Sequence, residues 1–403
     1  MVVTMRIIMH IDVNNAFLSW SAIELLNNGS KYDIRNSYAV IGGDETARKG
    51  IVLAKSTPAK KLGIVTAETL YSARKKCPAL RIYKPNFKFY NEMSNRMFKL
   101  LSKYTPDIEV ASIDECYLDY GKIKALYGDE LEFAKKIQKE IYDELGFTVN
   151  IGIANNKLCA KMASDFSKPN KIHTNYDYEI KTKMWPLPVS ELFGVGKKTV
   201  PKLNNLGINT IGDLANFPLE NLYKYFKNQG KYLIDIANGI DNSEVISIPP
   251  EQKGIGTEIT LPKDIESKPL LYNYLENVAE EVALRLNAKK KYAFVVCVIL
   301  KDNMFKKFSH QRKLVNAISS SKDIFKVAKE ILDEMYDETP IRLIGIRLDK
   351  LVDNLVHQES LFDSFEEKEK NNNLDQTLLN LKNRYGNKII NKAGLKTFDR
   401  LKH

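Results

Sequence analysis

The chain has 403 residues, 44% of them hydrophobic, and a formal charge of +11 from 61 Lys and Arg against 50 Asp and Glu. That length exceeds one ordinary core and suggests roughly two to four domains, and the basic balance points to a polyanion such as nucleic acid rather than to an acidic membrane surface. No apolar run approaches the ~18 residues of a membrane span, no signal-peptide layout precedes the first strand, and Cys77, Cys116, Cys159 and Cys297 lie scattered without a C-x-x-C pair, which excludes a membrane protein, a disulfide scaffold and a zinc module and leaves a cytoplasmic chain with reduced thiols as the expectation.

Arg6 to Val13, RIIMHIDV, reads as a strand. Residues of about 16 to 81 form a compact insert holding YAVIGG, GIVLAKSTPAKKLGI and ETLYSARKKCP. Its basic stretch, Lys55, Lys60 and Lys61, reads by itself as an exposed helix face. From Asn91 to Tyr104 the apolar residues Met93, Met97, Leu100, Leu101 and Tyr104 recur at helical spacing. A hairpin follows at about 108 to 120, EVASIDECYLDY, with Asp114 and Glu115 interrupting two strand-like runs. Leu131, Ala134, Ile137, Ile141 and Leu145 mark a second helix, and FTVNIGIA from Phe147 is a last strand with a glycine inside. The order is β-α-β-β-α-β, the split βαβ or ferredoxin-like arrangement.

Two adjacent carboxylates at a hairpin could be a solvated turn or part of a site for a hard cation such as Mg²⁺, which needs clustered oxygens. The topology weighs on the choice. In a split βαβ sheet the end of strand one lies beside the turn joining strands two and three, and strand one ends in HIDVNN. Asp12 therefore falls next to Asp114 and Glu115. A solvated turn predicts no such convergence, and repulsion among clustered carboxylates is costly unless cations offset it.

From about 173 to 245 the composition turns helical and glycine-punctuated. Gly194-Val195-Gly196, with Lys197 and Lys198 at the expected start of a helix, has the pattern of a helix-hairpin-helix, whose backbone N–H groups hold a phosphate without reading sequence. The alternative is a tight interhelical turn. SIPPEQK, Ser247 to Lys253, is a linker by its double proline. Beyond it come GIGTEITL, a helix from Pro269 to about Asn287, YAFVVCVIL, FKKFSHQRKLV, a helix from Lys322 to Met335, and PIRLIGIRLDKL, a second β-α-β-β-α-β series. It lacks the acidic cluster and carries Lys301, Lys306, Lys307, His310, Arg312 and Lys313 instead, as expected either of a sheet laid against a phosphate backbone or of solvated strand faces. The final fifty residues hold HQESLFDSF, the charged EEKEKNNN and a helix from Leu374 to Tyr385, and their polarity suggests a partly disordered tail.

HIDVNNAF, SIDECYLDY, GIANNKLCAKMASDFSKPN and ELFGVGKKTVPKL, in this order and at these separations, resemble the Y-family DNA polymerases of the DinB/UmuC class, over about residues 8 to 350. The resemblance implies an α+β right hand: a ferredoxin-like palm (1–15 and 82–172), inserted fingers (16–81), a small helical thumb with the helix-hairpin-helix (173–246), a linker (247–253), a β-α-β-β-α-β little finger (254–352) and a C-terminal tail (353–403). The tail looks more like that of the UmuC-type members of Gram-positive bacteria. By the same likeness Asp12, Asp114, Glu115 and the carbonyl of Val13 hold two Mg²⁺ ions. Phe17 is the steric gate under the incoming sugar, and Ile51 and Leu53 roof the nascent base pair. Lys60, Thr57 and Lys168 face the triphosphate of a dNTP. Gly194, Gly196, Lys197, Lys198, Lys306, Lys307, Arg312 and Lys313 contact primer-template DNA. Gln358, Leu361 and Phe362 resemble the peptide by which bacterial polymerases dock on the sliding clamp.

Three departures from the family pattern stand out. Asn14 replaces a second acid, Ala16 replaces an aromatic before the gate, and Thr57 and Lys60 stand where Tyr and Arg are common. The implied activity is template-directed, low-fidelity translesion DNA synthesis in an SOS-type response, together with accessory proteins of that response. The alternatives are a catalytically silent scaffold of a polymerase complex, or another palm-type nucleotidyl enzyme such as a cyclase.

Overall fold

The computed structural model describes residues 6–45, 48, 50–353, 377 and 381. IMHIDV forms β1 (Ile8–Val13), and α1 (Ala16–Asn27) follows at once. The corner between them is Asn15, in the left-handed conformation that asparagine tolerates, with its amide donating to the Lys55 carbonyl at 2.6 Å. The insert then gives β2 (Ala39–Gly42), β3 (Val52–Lys55), α2 (Thr57–Lys61), α3 (Leu70–Lys76) and β4 (Arg81–Tyr83). Ser56 and Thr69 cap the two helices by accepting N–H groups of the first turn. Strand β2 is central, antiparallel to β3 and parallel to β4, over a small core of Val40, Val52, Ala59, Leu70 and Ala73. The last strand of this sheet, Arg81–Tyr83, straddles the boundary expected at residue 81, and a three-residue strand is too short to show a period.

Next come α4 (Phe87–Leu101), β5 (Ile108–Val110), β6 (Glu115–Asp119), α5 (Lys124–Tyr127), α6 (Glu130–Leu145), β7 (Val149–Ala154), α7 (Lys157–Asp165) and β8 (Ile172–Thr174). Helix α4 starts ahead of the expected Asn91 because the Asn86 side chain caps it by accepting the Phe89 N–H. The sheet order is β5-β6-β1-β7-β8. Strand β1 is antiparallel to both neighbours, the split arrangement expected, with β8 added in parallel beyond β7.

A period of two sorts β1 by face. Met9, Ile11 and Val13 enter a core with Met93 and Met97 of α4 and Ile137 and Ile141 of α6. His10 and Asp12 turn the other way, toward α7. That helix can lie so close only because residue 152 is glycine: a Cβ there would sit 2.0 Å from the Ala160 carbonyl oxygen and 2.5 Å from the Ser164 nitrogen.

Residues 177–237 are short helical turns ending in α8 (Val200–Asn204), α9 (Ile211–Ala215), α10 (Leu219–Phe226) and α11 (Asn228–Ala237), around Leu203, Ile211, Leu214, Leu222 and Leu233. The helix expected to begin at Lys197 and Lys198 begins instead at Val200, with Pro201 in its first turn, where a missing N–H costs nothing. Both lysines therefore lie in the preceding turn, after Gly194, whose φ of +96° favours glycine.

The chain divides into two compact units between Pro249 and Pro250. The second holds β9 (Gly254–Ile265), α12 (Lys268–Ala288), β10 (Tyr292–Asp302), β11 (Lys307–Ile318), α13 (Ser321–Met335) and β12 (Ile341–Val352). Its elements follow the same chain order as the first sheet, but the strand order is β11-β10-β12-β9. The second and fourth strands of this series are central, where the first series places its first and third. Strand β11, with its basic residues, is consequently an edge. Val296, Val298, Leu300, Ile344 and Ile346 pack under α12 and α13, and the alternate residues of each strand face away. Among the described residues no helix is long and apolar enough to cross a membrane.

Candidate active site

Strand register decides the site. Asp12 of β1 pairs with Glu115 of β6, both on the face turned to α7, and the Val13 N–H donates to the Asp114 carbonyl at 3.0 Å. The three predicted carboxylates thus come from chain positions about a hundred residues apart and meet at one sheet end. Helix α7, capped where the Asn156 side chain accepts the Cys159 N–H at 2.8 Å, brings a fourth charge to them.

That charge is Lys161. Its ammonium lies 3.0 Å from Asp12 Oδ2 and 2.8 Å from Glu115 Oε1. Lys168, more exposed, donates to Asp12 Oδ2 at 2.8 Å and to Asp165 Oδ1 at 2.8 Å. Beneath them His10 is fully buried: Nδ1 faces Ser164 Oγ at 2.8 Å, and Nε2 stands 3.6 Å from Glu115 Oε2 with no closer partner.

The environment drives the two acids of the turn apart. His10 first and then Lys161 hold the Glu115 carboxyl well below its usual range, against the effect of burial. Asp114 is raised, chiefly by burial and further by the charges of Asp12 and Glu115, although the Ser112 hydroxyl donates to it at 2.7 Å. Burial alone would depress the Lys161 ammonium; Asp12 and Glu115 outweigh it and raise it.

The donor set suits a hard divalent cation, since it consists of carboxylate oxygens, with the Val13 carbonyl at the same strand end. As the side chains stand, no three His, Cys, Asp or Glu side chains among the described residues converge on one point. Asp114 is turned to Ser112, and the two lysines take the oxygens of Asp12 and Glu115. Asn14, which replaces an acid of the family pattern, is spent on structure: its amide donates to Asn150 Oδ1 at 3.0 Å and its carbonyl accepts the Asn170 N–H at 2.8 Å.

Comparison with known proteins identifies the family. Residues 11–165 match the impB/mucB/samB family, 178–208 the IMS family HHH motif, and 252–361 the impB/mucB/samB family C-terminal domain. The chain is 47% identical over 391 residues to DNA polymerase IV of Clostridium acetobutylicum, spanning 97% of this chain and 98% of that one. It is 38% identical to DNA polymerase IV of Moorella thermoacetica, over 89% and 90% of the two chains. Among solved structures, a Y-family DNA polymerase chimera of Dbh and Dpo4 superposes with a TM-score of 0.75 at 28% identity, covering 86% of this chain and 100% of the chimera. The chain belongs to the Y family of DNA polymerases. Within the Y family its relatives bear the name DNA polymerase IV, which sets it with the DinB-like members and corrects the UmuC leaning read from the tail.

Phe17, in the first turn of α1, is half-buried; its ring stacks on Tyr90 at 4.9 Å and meets Phe87 edge-on at 5.8 Å. Leu53 and Lys55 share one face of β3 while Val52 and Ala54 are buried on the other, and Ile51, Thr57 and Lys60 are exposed. Gly194 and Gly196 flank the turn before α8; among the described residues no protein acceptor meets the N–H groups of Gly196, Lys197 and Lys198. Lys306 is exposed at the β10–β11 turn, and Lys307 and Lys313 point away from the helices, Lys307 pairing with Glu258 at 2.7 Å. Arg312 departs from them. It lies on the helix side of β11, where its guanidinium engages Glu330 and Glu334 of α13. The peptide Gln358, Leu361 and Phe362 lies outside the described residues.

Lys161 is the residue that sequence reasoning passes over. A signal is present, for in LCAKMAS, Leu158 to Ser164, it is the single charge in a run of small and apolar residues that are all buried, and a lysine placed so needs an acid partner.

Proposed function

We propose that this Y-family chain is a low-fidelity translesion DNA polymerase in which Asp12, Asp114, Glu115 and the Val13 carbonyl hold two Mg²⁺ ions. The observation that carries the reading is the Asp12–Glu115 register pair, one buried and one partly exposed carboxylate already bridged by the Lys161 ammonium. When bound, the ions lower the pKa of the primer 3′-hydroxyl and offset the charge of the triphosphate.

The chain's own groups do the rest. Lys168 and Lys60, with Thr57, bind the dNTP phosphates, and their charge offsets the pyrophosphate as it departs. Phe17 stands as a wall against a 2′-hydroxyl, and Ile51 and Leu53 cover the base pair. The free N–H groups after Gly194, with Lys197 and Lys198, hold a DNA phosphate. Lys306, Lys307 and Lys313 line a second phosphate-binding surface; Arg312, committed to α13, serves the fold. In these terms 1–15 and 82–172 are the palm, 16–81 the fingers, 173–246 the thumb and 254–352 the little finger, acting in the cytoplasm in an SOS-type response to DNA damage. Primer extension with Mg²⁺ and four dNTPs tests the reading: a silent scaffold extends nothing, and a cyclase converts nucleotide without template.

DNA binding should weaken steeply with salt. Neutralising Lys306, Lys307 and Lys313 together should flatten the slope of log K against log salt by roughly one unit for each phosphate left without its lysine. A slope that the triple change leaves alone would move the interface to another surface.

The tail peptide Gln358-Glu359-Ser360-Leu361-Phe362 is proposed to dock on the sliding clamp, with adjacent apolar side chains in a polar stretch as its anchors. Clamp attachment raises the local concentration of enzyme at the primer end. Replacing Leu361 and Phe362 with Ala should leave extension of short primers without clamp unchanged and remove the stimulation by loaded clamp. Equal stimulation of mutant and wild type would place the contact elsewhere.

A further inference from the structure

We infer that Lys161 is an internal counter-cation of the acid pair, occupying the space between Asp12 and Glu115 that a divalent ion needs, so that ion entry requires its ammonium to withdraw toward Asp165. The inference rests on the metal-site reading above and concerns how that site is kept when no ion is present.

Three observations carry it. The Lys161 ammonium touches both carboxylates of the register pair, at 3.0 and 2.8 Å, so it is a bridge and not a neighbour. Its side chain is only 10% exposed, rising from a buried helix face, while Asp12 beside it is 7% exposed. Two such carboxylates without a cation would repel each other at a high desolvation cost. Finally, Asp165 stands one turn along α7 with its Oδ2 3.4 Å from the same ammonium, and it is about half exposed. Two N–H groups of the ammonium serve the acid pair, and Asp165, within ion-pair reach, is a carboxylate outside the pair toward which it can move.

Lys168 differs in each respect. It reaches only Asp12 of the pair, it is 36% exposed, and it shares Asp165 from the solvent side. It is placed to leave with a phosphate, whereas Lys161 is placed to hold the acids together. Lys161 is therefore a positioning residue, and its removal should have opposite effects on two measurements: the ion binds more tightly because its competitor is gone, and the ion-free protein becomes less stable because the acids lose their shared cation and only Lys168 remains, on Asp12 alone.

The test is Mn²⁺ binding to the full-length chain without nucleotide, followed by electron paramagnetic resonance, together with melting temperatures in EDTA and in Mn²⁺. Wild type is compared with Lys161→Met, Lys161→Gln, Lys168→Met and Asp12→Asn. Both Lys161 variants should bind Mn²⁺ at least about tenfold more tightly, as expected for removing a like charge at contact distance, and Lys168→Met should gain distinctly less. Both should melt below wild type in EDTA and regain most of that difference in Mn²⁺. If Asp12→Asn loses binding while the Lys161 variants bind no more tightly than wild type or Lys168→Met, the lysine's role is overturned and the metal site stands. If Asp12→Asn binds Mn²⁺ as wild type does, the metal-site reading itself falls. Failure of both Lys161 variants to fold even in saturating Mn²⁺ also overturns the inference, because an ion able to replace the ammonium would rescue them.

Discussion

Asp114→Ala and Glu115→Ala should each lower primer extension by about a thousandfold or more while leaving primer-template affinity nearly unchanged. On the metal-site reading proposed above, each substitution removes an oxygen ligand from ions that stabilise charge in the transition state, and losing about 4 kcal/mol there corresponds to that factor. DNA affinity is expected to survive because it is set mainly by phosphate contacts elsewhere. The two changes should not be equivalent in the free protein. Glu115 is bonded to Lys161 at 2.8 Å, so its loss takes one of two hydrogen-bonded carboxylates from a buried ammonium, whereas the Asp114 side chain bonds its neighbour Ser112 within the same turn. Glu115→Ala should accordingly lower the melting temperature more than Asp114→Ala. Single-turnover extension and a DNA-binding isotherm on each variant check the pair of expectations; robust incorporation by the double variant would remove the acids from the chemistry.

Phe17→Ala should raise ribonucleotide incorporation by about an order of magnitude or more relative to deoxynucleotides. A wall excludes by repulsion only if it cannot yield, and this ring is backed on one face by Tyr90, stacked 11° from parallel, and at its edge by Phe87. Tyr90 is itself buried and bonded to Ser21 Oγ. The preceding Ala16, where an aromatic is common, is buried and leaves the support of the Phe17 ring to α4. Competition between matched ribo- and deoxynucleotides measures the ratio directly, and an unchanged preference would make Phe17 simply part of the core.

The acid trio is legible in the sequence because two independent signals coincide: alternation marks the strands, and the β-α-β-β-α-β order places the end of the first beside the turn of the other two. Lys161 is not, since its partner Asp12 lies 149 residues away and no local pattern encodes that pairing. The three-stranded sheet of the insert is invisible for a different reason, its strands being three or four residues long. In the second unit the order of elements along the chain is readable while their order in space is not. Which strands become central depends on which faces the two helices cover, a matter of packing that periodicity does not carry. Arg312 shows the same limit at one residue: a charge in a basic strand reads as facing outward with its neighbours, yet register places it against two glutamates of α13.

The central position of β1 has a consequence for biosynthesis. This strand leaves the ribosome well before its partners, Glu115–Asp119 on one side and Val149–Ala154 on the other. Until the chain has grown past Asp119, six residues destined to be wholly buried have both edges unsatisfied, one edge stays open until Ala154 is added, and the ends of a very long loop must be brought together before any pairing repays the lost entropy. The acids are exposed to each other for longer still, since the lysine that separates them is added only at position 161. The catalytic sheet therefore assembles late and all at once, and the interval before it does is when the nascent polymerase depends most on being shielded from other chains.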